Sequence, residues 1–169
     1  MLGAMKIRKA RLTDAAVIAD FNTRLAWESE KLKLDAKTIL RGVRAALKDS
    51  PIGTYFVAEH DGAVVGQLLI TYEWSDWRNG NFWWIQSVYV ATEHRQAGVF
   101  RSLFAHVQKL AHARGDVCGL RLYVEKNNNR AQRTYAKLGM TKTCYEVYET
   151  ELRPKTKLAS PRTRDKLRT

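Results

Sequence analysis

The segment at residues 90–100 has the residue types and spacing of an anion-binding turn. It joins an apolar strand at residues 85–90 to a helix, and it carries Arg95 and Gly98 at the junction. The first N–H groups of a helix lack partners within the helix, and the helix dipole adds partial positive charge there. Gly98 lets an anion approach the backbone, and Arg95 adds a forked donor that matches phosphate oxygens. The segment therefore predicts a cradle for a phosphate or pyrophosphate.

A second polar turn lies further along the chain and leads into a short helix. The turn contains Asn128, and the helix predicted over residues 130–138 presents Ala131 and Tyr135 on one face before Gly139 ends it. A tyrosine in this place can donate a proton to a leaving group, or it can be an ordinary core residue. Asn128 can bond a ligand, or it can cap its helix.

The two turns need strands and helices that bring them together. Apolar residues at intervals of three and four predict a helix after the cradle, and alternation predicts a strand over residues 120–124. The dipeptide Asp61-Gly62 is one that a type I′ hairpin turn prefers. The other elements predicted from periodicity are two helices after the first strand and strands at 6–11, 54–59, 63–72, 82–90 and 144–152. The element order is therefore βααβββαβαβ.

Residues 84–140 resemble the cofactor core of the GNAT N-acetyltransferase superfamily. The family's cradle has Arg or Gln, two residues, Gly, one residue, then Gly or Ala; this chain has Arg95-Gln96-Ala97-Gly98-Val99-Phe100, with Phe100 in place of the small residue. The family's second signature is matched by Asn128, Ala131, Tyr135 and Gly139-Met140. The resemblance implies an α/β (α+β) fold, with a mixed, mostly antiparallel, twisted sheet of about six to seven strands flanked by about four helices.

The resemblance also implies a donor, a reaction and the residues that hold the donor. Acetyl-CoA is expected as cosubstrate without a metal, and an amine is expected to attack its thioester directly. Tyr135 occupies the position of the family's general acid, and Asn128 the position that bonds the pantetheine arm. The coenzyme is expected on backbone N–H groups of Val88, Tyr89 and Val90 and on the cradle residues Arg95, Gln96, Ala97, Gly98, Val99, Phe100 and Arg101.

The general base and the acceptor site are predicted from carboxylates and indoles. Several family members carry a Glu on the strand before the cradle, but residues 82–86 contain no carboxylate, so Glu73 is the nearest substitute, acting directly or through water. A solvated Glu at a strand end is the alternative. Aromatic faces beside carboxylates suit a cationic amine, although each Trp could equally pack in the core. The residues predicted to face the acceptor are Glu28, Glu30, Trp74, Asp76, Trp77 and Trp84.

Composition places these features in one globular domain. The 169 residues are 45% hydrophobic with a mean hydropathy of −0.41, which predicts one domain over residues 5–152. The chain has two cysteines, Cys118 and Cys144, which are too few for a disulfide framework. No apolar run has the length of a membrane span or of a secretory segment. A cytoplasmic protein is therefore predicted. Residues 1–4 are interpreted as an expression scar or an upstream start.

The net charge of +12 is divided between the domain and a tail. Residues 153–169 contain seven basic residues and one acidic residue, and therefore half of the excess; they predict a flexible basic tail. The expected partner is a small-molecule or peptide amine. No membrane is expected, nucleic acid is not expected except through the tail, and a homodimer is left open. Two other functions also stay open: a catalytically silent domain that binds acyl-CoA, and a basic nucleic-acid-binding module.

Overall fold

A five-stranded sheet lies at the centre of the computed structural model, which describes residues 5–150 and Leu152. The strands lie in chain order, and neighbouring strands are antiparallel except for the parallel pair β4 and β5. Their bounds are β1 Lys6–Lys9, β2 Thr54–His60, β3 Ala63–Ser75, β4 Gly80–Val90 and β5 Val117–Leu122. The helices are α1 Ala15–Glu30, α2 Ala36–Lys48, α3 Val99–His112 and α4 Asn129–Lys137. The predicted mixed, mostly antiparallel α/β fold is confirmed.

The hairpin between β2 and β3 has the predicted two-residue turn. Asp61 and Gly62 have φ angles of 50° and 78°, and the flanking residues His60 and Ala63 are paired. Two successive residues in the left-handed region are the signature of a type I′ turn. The turn sets the register of β3, the central strand of the sheet.

The sheet packs helices on both of its faces. On β2, Phe56 and Ala58 belong to the core formed with α3, whereas the alternate residues Tyr55 and Val57 pack against α1 and α2. This division follows from the two-residue repeat of a strand, which sends successive side chains to opposite faces. The coenzyme and acceptor residues predicted from the sequence are consequently distributed over both faces.

A glycine on β3 brings the start of α3 close to the sheet. Gly66 lies opposite Val90, and a Cβ atom at Gly66 would lie only 2.8 Å from Cγ1 of Val99. Glycine inside a strand often marks such a close approach of another segment. The absence of a side chain at Gly66 therefore allows the first turn of α3 to pack directly over the end of β4.

The sheet has fewer strands than the six to seven expected, because the last predicted strand does not form. Residues 141–150 have neither helix nor strand, and Tyr145, Val147 and Tyr148 are exposed. Alternating Tyr and Val favour a strand only where a neighbouring strand supplies hydrogen bonds and an apolar face, and among the described residues β5 pairs with β4 alone. The predictions for residues 1–4 and 153–169 lie outside the described residues. Within the described part, no helix is both long and apolar enough to cross a membrane.

Candidate functional site

The strands β4 and β5 separate before β4 ends. Their pairing runs from Asn81 opposite Val117 to Ile85 opposite Leu122, where β5 stops, while β4 continues to Val90. The backbone groups on this side of the last residues of β4 therefore have no partner in β5 and are available to a ligand. The chain leaves β4 at this point and leads into the cradle before α3.

A β-bulge changes the direction of β4 within this unpaired part. Gln67 pairs with Tyr89 and Leu69 with Gln86, so that one residue of β3 lies opposite two residues of β4. One of these two residues, Ser87, has a φ angle of 46°, which is unusual for a residue other than glycine. Bulges bend a strand and redirect its backbone groups, and this one lies directly before residues 88–90 of β4.

A buried polar network supports the bulge, and the sequence reasoning missed it. Gln67 is fully buried, and its side-chain Nε2 donates to the carbonyl oxygen of Ser87 at 3.2 Å and to Oδ1 of Asn22 at 2.6 Å. The Asn22 amide in turn donates to the Tyr55 hydroxyl at 3.1 Å, while Oε1 of Gln67 has no hydrogen-bond partner in the described part of the chain. A buried polar atom without a partner is costly and uncommon. The available signal was an amide within the otherwise apolar stretch at residues 64–70.

The cradle has the backbone geometry that an anion site requires. Gly98 precedes α3 with a φ angle of 79°, and a Cβ built on it would meet no atom of residues 5–150 within 4 Å. Gln96 also has a left-handed φ, of 68°. The open space therefore lies against the backbone at the N-terminus of α3, where N–H groups and the helix dipole favour negative charge. These residues fit the pyrophosphate of a coenzyme.

Arg95 ties the cradle to two other elements. Its Nε donates to the carbonyl oxygen of Val90 at 3.0 Å, and its guanidinium forms an ion pair with Glu28 at 2.6 Å. The Tyr89 hydroxyl donates to the second oxygen of Glu28 at 2.7 Å. Although partial burial opposes it, hydrogen bonding by Tyr89 and Arg95 holds the pKa of Glu28 below its usual value. Glu28, predicted to face the acceptor, thus lies beside the cradle.

Tyr135 lies against the residue that departs from the family's cradle pattern. The rings of Tyr135 and Phe100 meet edge to face, with 5.8 Å between their centroids. Burial raises the pKa of Tyr135, because the surroundings disfavour the charged phenolate. Phe100 therefore fills the space between α3 and α4, and the phenol keeps its proton at neutral pH.

Asn128 has the capping role that was one of its two alternatives. Its Oδ1 accepts a hydrogen bond from the backbone N–H of Ala131 at 3.0 Å, which caps α4. The side-chain nitrogen of a capping Asn remains a donor. Capping therefore holds Asn128 in place and is compatible with the predicted bond to a pantetheine arm.

Glu73 lies in a cluster with Trp84 and Arg121 on the face of the sheet that carries α1 and α2. The Arg121 guanidinium donates to Glu73 at 2.7 Å, and the indole N–H of Trp84 donates to its other oxygen. Trp84 also stacks on Tyr123, with ring centroids 4.3 Å apart. Arg121 and Tyr123 were predicted only as members of a strand and not as site residues, because the pairing of β4 with β5 is what brings them to Trp84.

The remaining predicted aromatic residues lie at the far end of the hairpin formed by β3 and β4. Trp74 and Trp77 are 59% and 90% exposed, and the Asp76 carboxylate accepts a hydrogen bond from the backbone N–H of Trp77 at 2.9 Å. None of these three residues lines the cavity between α1, α2 and the sheet. Trp74, Trp77 and Trp84 are thus close in the sequence but do not form a single pocket.

A cavity of about 360 Å³ lies between α1, α2 and the sheet. Its polar surface includes Asn22, Tyr55, Thr71 and Ser87, and most of its other walls are apolar. Because Ser87 also belongs to the bulge, the cavity borders the part of β4 that has left β5. Of the residues predicted to face an acceptor, Glu30 alone lines this cavity.

Comparison with known proteins identifies the same architecture. The model of the acetyltransferase (GNAT) family matches residues 18–140. A solved structure described as a possible acetyltransferase from Clostridium difficile 630 is 45% identical in sequence, with a TM-score of 0.84 over 91% of this chain and 100% of that chain. No curated protein matches the sequence.

More distant structures with a bound coenzyme share the fold. The aminoglycoside N-acetyltransferase AAC(6')-Iy in complex with CoA is 18% identical, with a TM-score of 0.73 over 89% of this chain and 96% of that chain. A predicted acetyltransferase with acetyl-CoA from Clostridium acetobutylicum is also 18% identical, with a TM-score of 0.71 over 87% of this chain and 96% of that chain. At this level of identity the likeness shows the fold alone.

Proposed function

Because this chain belongs to the acetyltransferase (GNAT) family, we propose that it transfers an acetyl group from acetyl-CoA to a primary amine. The observation that carries the proposal is the opening beside β4, which runs from the bulge at Ser87 to the left-handed Gly98 before α3. It combines the edge of β4 beyond the end of β5 with a helix N-terminus, and these suit an acyl group and a pyrophosphate respectively.

The residues that would hold the coenzyme are those of the bulge, the cradle and the α4 cap. N–H groups of Val88, Tyr89 and Val90 would meet the acyl and pantetheine groups, residues 95–101 would bind the pyrophosphate, and Asn128 would donate to the pantetheine arm. When bound, acetyl-CoA supplies an acyl group on a thiolate leaving group. The distant neighbours with bound CoA or acetyl-CoA support this choice of donor.

Tyr135 is the proposed general acid. Its raised pKa keeps the phenol protonated at neutral pH, and its contact with Phe100 fixes it between α4 and the start of α3. A thiolate that leaves beside α3 would take the phenolic proton.

The exposed thiols of Cys118 and Cys144 support a reducing, cytoplasmic setting for this reaction.

Glu73 is the proposed general base. An ammonium with a pKa near 10 must lose a proton before it can attack. The Glu73 carboxylate would accept that proton through a water molecule, while Arg121 and Trp84 hold the carboxylate in position.

The ion pair between Glu73 and Arg121 also favours a second candidate function, a silent acyl-CoA-binding domain, because Arg121 occupies the carboxylate that would act as the base.

A thiol-release assay with acetyl-CoA and a panel of amines tests the proposal. We expect turnover with at least one amine, together with a kcat about 100-fold lower in Tyr135→Phe and about 10-fold lower in Glu73→Gln. Tyr148→Phe, at an exposed position on the segment after α4, is the matched control and should retain full activity.

Two results would contradict these assignments. Full activity of both variants on the best amine would remove Tyr135 and Glu73 from their proposed roles. Binding of acetyl-CoA without thiol release on any amine would instead support the silent domain.

A further inference from the structure

We propose that the acceptor is a small amine with one apolar group and a single positive charge, bound in the cavity between α1, α2 and the sheet. This inference rests on the proposed function, which requires an amine to reach the bulge in β4. The cavity meets that requirement, because Ser87 belongs both to its lining and to the bulge.

The walls of the cavity select an apolar body. The apolar lining comes from both helices and the sheet and would surround a ligand on these sides. It includes Leu25 of α1, Ile39 and Val43 of α2 and Leu69 of β3. The volume of about 360 Å³ lies near the lower end of ligand pockets, which span about 300–1,000 Å³. A short branched alkyl chain or one aromatic ring fits such a space.

The charge of the cavity excludes a polycation. Among the residues that the structure describes, Glu30 contributes the only carboxylate of the lining, and no basic side chain lines the cavity. A polyamine or an aminoglycoside would bring several ammonium groups to this one partner, and each further charge would lose water without compensation. The lining thus matches one ammonium group at most.

The polar floor suits the amine after it has lost its proton. Tyr55, Thr71 and Ser87, which each carry a hydroxyl group, line the cavity, and Ser87 also belongs to the bulge. Burial raises the pKa of Tyr55, so its hydroxyl stays neutral at physiological pH. Neutral hydroxyls can accept from and donate to an uncharged amine without competing for its proton.

An exposed glycine in the middle of α2 lies at the rim of the cavity. Gly42 is part of the lining, and a Cβ atom there would meet no atom of the described residues within 4 Å. Glycine in a helix interior lowers helix stability relative to alanine. The backbone at Gly42 does not require a glycine, because its φ angle is not positive. Gly42 therefore leaves space for a ligand at the expense of helix stability.

Acetylation of matched amines tests the inference. We expect kcat/KM for isopentylamine and 2-phenylethylamine to exceed that for spermidine and kanamycin at least about 10-fold. Gly42→Leu should raise the KM for 2-phenylethylamine about 10-fold or more and leave the KM for acetyl-CoA within about twofold. Ala45→Leu is the matched control, because Ala45 is exposed on the same helix and does not line the cavity.

The outcomes separate this inference from the proposed function. A preference for spermidine or kanamycin, or equal effects of Gly42→Leu and Ala45→Leu, would overturn the inference while leaving acetyl transfer intact. Absence of turnover with every amine would overturn the proposed function. In that case, calorimetry with 2-phenylethylamine tests whether the cavity binds a small apolar amine. Binding that Gly42→Leu abolishes would support the inferred ligand class, and absence of binding would overturn the inference.

Discussion

At the cradle, the backbone conformation of Gly98 accounts for the glycine. Its φ angle of 79° lies in the left-handed region, and the space beside its Cα is open toward the proposed pyrophosphate position. Any other residue would be strained in this backbone conformation, and its side chain would place atoms in the space proposed for the ligand. One residue thus links local stereochemistry to binding.

Replacement of this glycine separates the two effects. Gly98→Ala should destabilise the protein by about 1–2 kcal/mol through backbone strain and weaken acetyl-CoA binding about 10-fold or more. Gly62→Ala is the control, because Gly62 has a φ of 78° and equally open surroundings at the β2–β3 turn. Urea denaturation and calorimetry should show similar losses of stability but a loss of affinity in Gly98→Ala alone. Equal affinities in both variants would contradict the cradle assignment.

Tyr135 should set the alkaline limit of catalysis. Burial raises its pKa above the usual value of 10.0, so the acid form persists through neutral and mildly alkaline pH. We expect kcat to fall only above about pH 10, as the phenol loses its proton. A pH profile of kcat checks this: the alkaline fall should disappear in Tyr135→Phe. A fall that persists in the variant would assign the limit to another group.

Among the elements, β4 carries both the proposed coenzyme contacts and the junction with the proposed acceptor cavity. Its bulge is held by Gln67 on β3, and Gly66 beside it lets α3 approach. Arg95 and Glu28 connect the cradle to the end of α1. The end of β4 is therefore positioned by groups from three other elements, which reduces its freedom to move.

The bulge can be tested through Gln67→Leu. Leucine has a similar volume and removes the unpaired oxygen, but it also leaves Asn22 Oδ1 and the Ser87 carbonyl oxygen without their donor, so the free energy of unfolding should fall by about 1–3 kcal/mol. The kcat/KM for acetyl-CoA should fall about 10-fold, because the redirected N–H groups lose their support. Steady-state kinetics and urea denaturation measure the two quantities. Unchanged kinetics at unchanged stability would show that the bulge does not depend on Gln67.

At the scale of the whole molecule, a buried ion pair connects the first strand to the entry of α1. Arg8 contacts Asp14 at 2.8 Å and Glu59 on β2 at 2.7 Å, and the Arg11 N–H donates to Asp14 at 2.7 Å. The hydrogen bond from Arg8 outweighs burial and holds the pKa of Asp14 below its usual value. The carboxylate form therefore stabilises the fold.

This linkage predicts acid sensitivity. Because the folded pKa of Asp14 is lowered, its contribution is complete above the unfolded pKa of about 3.9 and is lost as the pH falls toward the folded value. Asp14→Asn should lower the free energy of unfolding by about 2 kcal/mol at pH 7 and flatten the acid dependence. Urea denaturation as a function of pH measures both. Asp20→Asn, in an exposed pair with Arg24, should have little effect, and an equal loss there would contradict the prediction.

Local interactions explain what the sequence could predict. The Asp61-Gly62 turn, the apolar stripe of α3, Gly98 at its start and Asn128 before α4 each depend on residues within a few positions along the chain. Turn stereochemistry and the unpaired N–H groups of a helix act at that range. The family signatures are of the same kind, so the chain by itself determined the fold class, the cradle and the expected acetyl donor.

The acceptor side was decided by tertiary structure. Glu28 and Arg95 are 67 residues apart, and Glu73 and Arg121 are 48 apart, so their pairing depends on the packing of α1 and the register of the sheet. The strand predicted at 144–152 failed for the same reason, since pairing requires a partner outside the segment. The cavity exists only where α1, α2 and three strands meet. Residues far apart in sequence can be assigned to a site only after the fold has brought them together.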